Sequence, residues 1–252
     1  MGLYFGNIQQ GAGGGEVLPV SGVTGWYGKL VNSGVTRTSL SSGTTITQWD
    51  DQSGNGYHMG DYLGTPYYDA TENAIRLNSA STIGCLGNAP PIGGSVSTTF
   101  VVYKNMGSLT ENERTYPINW GSSTPWNIVC IEDVGTPFTY LGAGAAYKDW
   151  AATIFGTAKV LTTYHNSTNN STGFFLKKNG SLVTHRNLTP NTIPNNERYL
   201  AICGGIDAGG SLVLYGSAKN WNVYEVIIYA ASLGAQQIID TENWLNAKYS
   251  IY

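Results

Sequence analysis

The most constraining feature of this chain is its punctuation. Short β-branched and aromatic runs alternate with clusters of Gly, Pro, Asn and Ser. The runs are 98–104 (TTFVVYK), 126–132 (WNIVCIE), 159–165 (KVLTTYH), 198–203 (RYLAIC) and 221–229 (WNVYEVIIY). Such runs, bounded this way, read as strands joined by turns. Composition agrees: 33 of 252 residues are glycine and only 12% are charged, against usual values of ~7% and ~25%. High aromatic content with few charges excludes a disordered chain, and there is no Ala/Glu/Lys/Leu/Arg bias for a helical bundle. The clearest hairpin is 174–178 with 181–186 around Asn179-Gly180, a pair suited to a type I′ turn with φ > 0 twice. One helix is expected at the C-terminal end, capped by Ser232, with Ile238, Ile239, Leu245 and Tyr249 on its inner face. Strands followed by one helix predict an all-β antiparallel sandwich with a helical plug. The length suits a single domain that buries its core without disulfides.

Several functional classes drop out early. The net charge of −3 gives no electrostatic footprint for nucleic acid. No apolar run is long enough for membrane insertion. The first 15 residues lack the basic and apolar regions of a secretory signal, so synthesis in the cytoplasm is expected. Cys85, Cys130 and Cys203 are odd in number and widely spaced, which fits neither a disulfide framework nor a zinc site. Cys130 and Cys203 lie in apolar runs and read as small hydrophobes. Residues 1–23 read as an N-terminal flexible arm, with four glycines in positions 11–15. Leu3, Tyr4 and Phe5 are the apolar residues that would attach it to a partner; a frayed terminus is the alternative. The domain proper is then 24–252.

Three segments carry a family likeness: 46–56 (ITQWDDQSGNG), 175–183 (FLKKNGSLV), and 224–229 (YEVIIY) followed by a helix ending WLNAKY at 244–249. In this order the chain resembles laminin G-like members of the concanavalin A-like lectin/glucanase superfamily, of the kind found in phage virion proteins. The resemblance implies a jelly roll of two antiparallel sheets. It also implies a place in the virion as a capsid decoration, head fibre or tail receptor-binding component, contacting other virion proteins through the arm. A polysaccharide-degrading enzyme of the same fold and a ligand-free cement protein are the alternatives.

The residues weigh against hydrolysis. Glucanases of this superfamily carry Glu-x-Asp-x-Glu on a strand, where period-2 spacing places the carboxylates on one face. None of the 16 acidic residues forms Glu-x-Asp. Glu111 and Glu113 have pair spacing but lie in a polar stretch, and adjacent Glu132 and Asp133 would face opposite ways. His58, His165 and His185 form no metal-hydrolase pair, and there is no Gly-x-Ser-x-Gly elbow. Asp50, Asp51 and Asn55 supply only part of the roughly six to eight oxygens that calcium takes; Gly54 and Gly56 fit turns there. Glu225 reads as an anchor to a nearby turn, on one face with Val223 and Ile227. No catalytic residue, metal or cofactor is therefore expected, and the chain reads as non-enzymatic.

A sugar site needs aromatic faces beside polar groups. Trp120 and Trp126 flank a Gly/Ser/Thr/Pro stretch, and Tyr140, Tyr147 and Trp150 bracket a Gly/Ala-rich one. Asn119, Asn127 and Asp149 would supply hydrogen bonds to cell-surface glycan. The competing reading places the same rings in the core or at a subunit interface. Shallow sites bind weakly, so the glycan reading implies several copies in a homo-oligomer, for which a trimer would serve.

Overall fold

A computed structural model describes residues 16–78, 81–90, 96–106, 114–115, 118–121, 128–129, 131–133, 138–143, 146–150, 158–166, 174–182, 185–188, 199–206, 210–214 and 220–252. It is an antiparallel all-β sandwich with one C-terminal helix, as the punctuation predicts. The largest sheet runs in the order Ser181–Leu182, Phe174–Lys178, Val160–Asn166, Ser97–Asn105, Trp221–Tyr229, Gly25–Val31, Val35–Thr36. Trp49–Asp51 pairs with Gly25–Val31, and Ala74–Leu77 joins the start of Trp221–Tyr229. A second sheet contains Ile128–Val129, Ile118–Gly121, Tyr199–Ile202, Thr82–Cys85 and Asp61–Leu63. A third contains His185–Leu188, Ala146–Trp150, Phe138–Ala143, Ile131–Asp133 and Arg114–Thr115. The hairpin turn at Asn179-Gly180 has φ of 49° and 74°, as its sequence requires.

The strand Trp221–Tyr229 is buried along its whole length because it has a core on each face. On one face Val101, Tyr103, Val223, Val226 and Ile228 meet Ile83, Cys85, Ile118, Leu200 and Ile202 of the second sheet. On the other, Phe100, Val102, Leu161, Tyr224, Ile227 and Tyr229 meet Ile238, Leu245 and Tyr249 of the helix Ala235–Tyr249. The order is therefore sheet, sheet, helix, and two faces to bury explain the unbroken apolar run.

A β-bulge in this strand changes which way one residue points. Val223 pairs with Tyr103 and Glu225 with Val102, leaving Tyr224 as the extra residue. A bulge shifts side-chain parity. Val223 thus faces the second sheet, whereas Tyr224 and Glu225 both face the helix. The expectation that Glu225 shares a face with Val223 is corrected, and so is its partner. Glu225 anchors the helix and the first strand: Oε1 accepts Trp26 Nε1–H at 2.5 Å, and Oε2 accepts Tyr249 O–H at 2.5 Å and Lys248 Nζ at 2.6 Å.

The helix differs from expectation in its first half. Ile238, Leu245 and Tyr249 are buried as predicted, but Ile239 is 43% exposed. The inward positions near it are Thr241 and Glu242. Glu242 is buried because Thr163 donates to Oε1 at 2.7 Å and Lys177 donates to Oε2. Ser232 does not cap the helix. The N-cap is Gly234, whose N–H donates to Gln237 Oε1 at 2.9 Å.

Leu3, Tyr4 and Phe5 lie outside the described residues. The rest of the predicted arm is packed where it is described. Leu18, Val20 and Val23 are buried in the helix-side core, Tyr229 O–H donates to Val20 O, and Glu16 pairs with Lys248 at 2.5 Å. Apolar side chains at these positions gain more from burial than a free tether would allow.

The segment at Trp49 is a clamp on the first strand. Asp51 Oδ1 accepts the Trp26 and Ser53 N–H groups at 2.9 Å each, and Oδ2 accepts the Tyr57 N–H at 3.0 Å. Asp50 instead accepts the Gly34 N–H at 2.7 Å. Neighbouring strand residues point to opposite faces, so the two carboxylates diverge. Gly54 and Gly56 adopt φ of 89° and 79°. Asn55 bridges back to Thr24 O at 2.9 Å. Among the described residues no group of three His, Cys, Asp or Glu side chains is arranged to hold a metal ion. Cys85 and Cys203 are free thiols, and Cys130 lies outside the described residues.

Candidate functional site

The predicted sugar-binding residues divide between two sheets. Asn119 and Trp120 belong to Ile118–Gly121, paired with Val129 and Ile128 on one side and Ala201 and Leu200 on the other. Tyr140, Tyr147, Asp149 and Trp150 belong to the hairpin of Phe138–Ala143 and Ala146–Trp150. In that hairpin Tyr140 stands opposite Asp149, Tyr147 opposite Gly142, and Trp150 opposite Thr139. The Gly/Ala-rich stretch they bracket is thus mostly strand. Trp126 and Asn127 lie outside the described residues, as do Glu111 and Glu113, and so do the side chains of the other predicted residues.

A polar cluster that the sequence did not flag sits on the helix side of the large sheet, at the end the helix leaves behind. The turn between Tyr67–Asp69 and Ala74–Leu77 folds Glu72 over the sheet. Glu72 Oε1 accepts Lys104 Nζ at 2.6 Å, and Oε2 accepts Tyr224 O–H at 2.7 Å. Cross-strand register sets Asn222 between Lys104 and Arg76, and Arg76 opposite Tyr67. Asn222 is fully buried, donates to Asp69 Oδ2 at 3.3 Å and accepts from Arg76 Nη1 at 3.4 Å. Arg76 also pairs with Asp69 at 3.7 Å. Lys159 lies over the Tyr224 ring, 5.2 Å from its centroid, and donates to Tyr249 O at the helix end. Arg37 is buried beneath, donating from Nη1 to Tyr224 O at 2.8 Å.

The electrostatics of this cluster suit binding better than proton transfer. The Lys104 hydrogen bond, helped by that of Tyr224, holds the Glu72 carboxyl below its ordinary range. A glycosidase acid needs the opposite, a carboxyl kept protonated near neutral pH. Burial pushes the Tyr224 hydroxyl up, and the bond to Glu72 adds to this. Lys104, Glu72, Arg76 and Asp69 each keep 15–22% of their side-chain surface exposed. The face therefore presents charged donors and acceptors held in fixed positions by a buried Asn and a buried Tyr. Its parts come from separate strands and one turn, so no linear motif announces them.

A smaller polar group lies at the opposite end of the sheet. His165 Nδ1 is 2.9 Å from Thr98 Oγ1, and its Nε2 is 3.2 Å from Ser232 Oγ. The imidazole stacks on Phe175, with centroids 4.4 Å apart. Burial pulls the His165 pKa below its ordinary value.

No family model matches the chain, and no curated protein matches it by sequence. Solved structures do share its fold. A botulinum neurotoxin serotype D/C binding domain aligns with a TM-score of 0.61 and 10% identity, covering 89% of this chain and 52% of that one. A binding domain of botulinum neurotoxin DC in complex with SialylT gives a TM-score of 0.62 at 11% identity, again over 89% and 52%. A Trypanosoma rangeli sialidase gives 0.59 at 9% identity, over 93% of this chain and 34% of that one. The chain thus spans about half the length of the toxin domains it resembles.

Proposed function

We propose that this chain is a phage virion surface protein whose lectin-like sandwich binds host cell-surface glycan and does not cleave it. The observation that carries the glycan reading is the shared fold with binding domains, one of them in complex with SialylT. The polar face around Glu72 supports it, because it offers fixed hydrogen-bonding groups and a lowered carboxyl rather than a proton donor. The virion role, as capsid decoration, head fibre or tail receptor-binding component, rests on the sequence resemblance. In this reading residues 1–15 attach the domain to other virion proteins, and a homo-oligomer such as a trimer multiplies weak sites into useful adhesion.

The test is a glycan array read with the full chain, followed by host adsorption of particles carrying Trp120→Ala, Trp150→Ala or Lys104→Gln. Binding to a defined glycan class, weakened about tenfold or more by at least one variant that keeps its fold, is expected. An array without hits, together with unchanged adsorption, removes the glycan reading. Release of reducing ends from host polysaccharide would replace it with the hydrolase alternative. Deleting residues 1–15 should abolish particle incorporation and leave the domain folded; normal incorporation would sink the arm.

A further inference from the structure

The group at His165 carries an inference that does not depend on the glycan reading. Thr98 Oγ1 has a single proton and three partners. The Leu233 N–H donates to it at 3.1 Å, and the oxygen itself donates to Ala231 O at 3.0 Å. Its one proton is thereby committed, so the 2.9 Å contact with His165 Nδ1 requires the ring nitrogen to be the donor. That fixes the tautomer: Nδ1 carries the hydrogen and Nε2 is a bare acceptor. The neighbour of Nε2 is Ser232 Oγ at 3.2 Å, so the serine hydroxyl donates to it. Ser232 is exposed to solvent while His165 is 5% exposed. Gly234 is the N-cap and its N–H is served by Gln237, so the Ser232 hydroxyl has no capping duty and engages His165 instead.

A hydroxyl within reach of a neutral imidazole, itself oriented by a third group, is the arrangement that activates a serine. We propose that Ser232 is a base-activated nucleophile, with His165 as the base and Thr98 as the positioning residue, and that it takes acyl groups from carboxylic esters. Attack forms the Oγ–C bond while the hydroxyl proton moves to His165 Nε2. Collapse breaks the ester C–O bond, and His165 returns the proton to the departing alkoxide. Water then hydrolyses the acyl-serine by the same route. The Phe175 stack holds the ring in place, and Thr98 and Ser232 engage its two nitrogens. The helix Ala235–Tyr249 starts three residues after Ser232, and the positive end of its dipole favours negative charge developing nearby.

The test treats the full chain with p-nitrophenyl acetate and, separately, with an alkyl fluorophosphonate, and maps adducts by mass spectrometry. A single adduct on Ser232 is expected with both reagents, absent in Ser232→Ala. His165→Gln should lower the rate by about a hundredfold or more, the usual scale of general-base assistance. Thr98→Val should lower it less, since the ring keeps Ser232 but loses its tautomer setting. Should His165→Gln fail to fold, the wild-type pH profile decides. Assistance by His165 predicts a rate that rises with pH through the histidine range and then levels. A rate that climbs tenfold per pH unit through pH 9, labelling of Ser232 no faster than exposed Ser41, or an unchanged rate in folded His165→Gln would each overturn the proposal. Phosphonylation without acetylation would overturn the ester assignment.

Discussion

Glu225 offers the most demanding check on how this fold is held. Its side chain is fully buried and accepts three hydrogen bonds, from Trp26 on the first strand and from Lys248 and Tyr249 on the helix. In Glu225→Ala the Trp26 N–H and the Tyr249 O–H lose their acceptor inside the core. Each buried donor left unsatisfied costs about 1–3 kcal/mol. Lys248 keeps Glu16 at 2.5 Å, so its charge is not stranded. Breaking one side of a buried pair usually costs about 3–5 kcal/mol, and the two estimates meet near ~4 kcal/mol. That is a large part of the ~5–15 kcal/mol that holds a typical domain together. For a chain of this size it corresponds to a fall in Tm of roughly 8–16 °C. Urea and thermal unfolding followed by tryptophan fluorescence and circular dichroism measure it. Glu225→Gln should fall in between, because the amide keeps one acceptor but turns its NH₂ toward other donors. Glu16→Ala, which removes a partly exposed partner, should cost no more than ~1 kcal/mol. A Glu225→Ala protein within ~1 kcal/mol of wild type would refute the reasoning, because it would mean that Trp26 and Tyr249 find other acceptors without loss.

Two further predictions follow from single sites. Gly84 has no room for a side chain: a Cβ there would sit 2.3 Å from Leu200 O on the paired strand. Gly84→Ala should therefore destabilise by about 1–3 kcal/mol or more, seen as a lower urea midpoint with an unchanged slope. His165 gives a pH dependence. Its pKa is lower folded than unfolded because burial disfavours the charged ring, so the unfolded chain binds more protons near that range. The stability linked to His165 is then fully present above the ordinary histidine pKa and is lost as pH falls through the folded value. His165→Gln should flatten this acid limb of the stability profile; an unchanged limb would assign it to other groups.

Much of the sandwich was legible because its strands obey local rules. The run 221–229 is the observed strand Trp221–Tyr229, and Asn179-Gly180 forms the turn its φ preferences demand. Other features were hidden for identifiable reasons. The run 126–132 is not one strand: Ile128–Val129 joins the second sheet and Ile131–Asp133 the third. A change of sheet costs nothing in local propensity, so the sequence carries no mark of it. Ile239 is apolar yet exposed while Glu242 is buried, because Thr163 and Lys177 stand opposite Glu242. Ser232 has a capping residue's chemistry, but Gly234 takes the cap and His165 takes the serine. The polar face around Glu72 draws on Tyr67–Asp69, Arg76, Lys104 and Asn222, which meet through cross-strand register, and on Lys159, which packing sets over the Tyr224 ring.

By itself the sequence determined the class of fold, the presence of one closing helix and the absence of the glucanase carboxylate motif. These follow from side-chain periodicity, turn chemistry and a complete count of 16 acidic residues. The tertiary structure decided the rest: the bulge that turns Glu225 toward the helix, the burial of Leu18, Val20 and Val23, and the meeting of Ser232, His165 and Thr98. The physical reason is one of range. Strand and turn preferences act over a few residues, whereas the Glu225 bond to Trp26 spans 199 positions and the Ser232 contact with His165 spans 67. Only packing brings such partners within hydrogen-bonding distance.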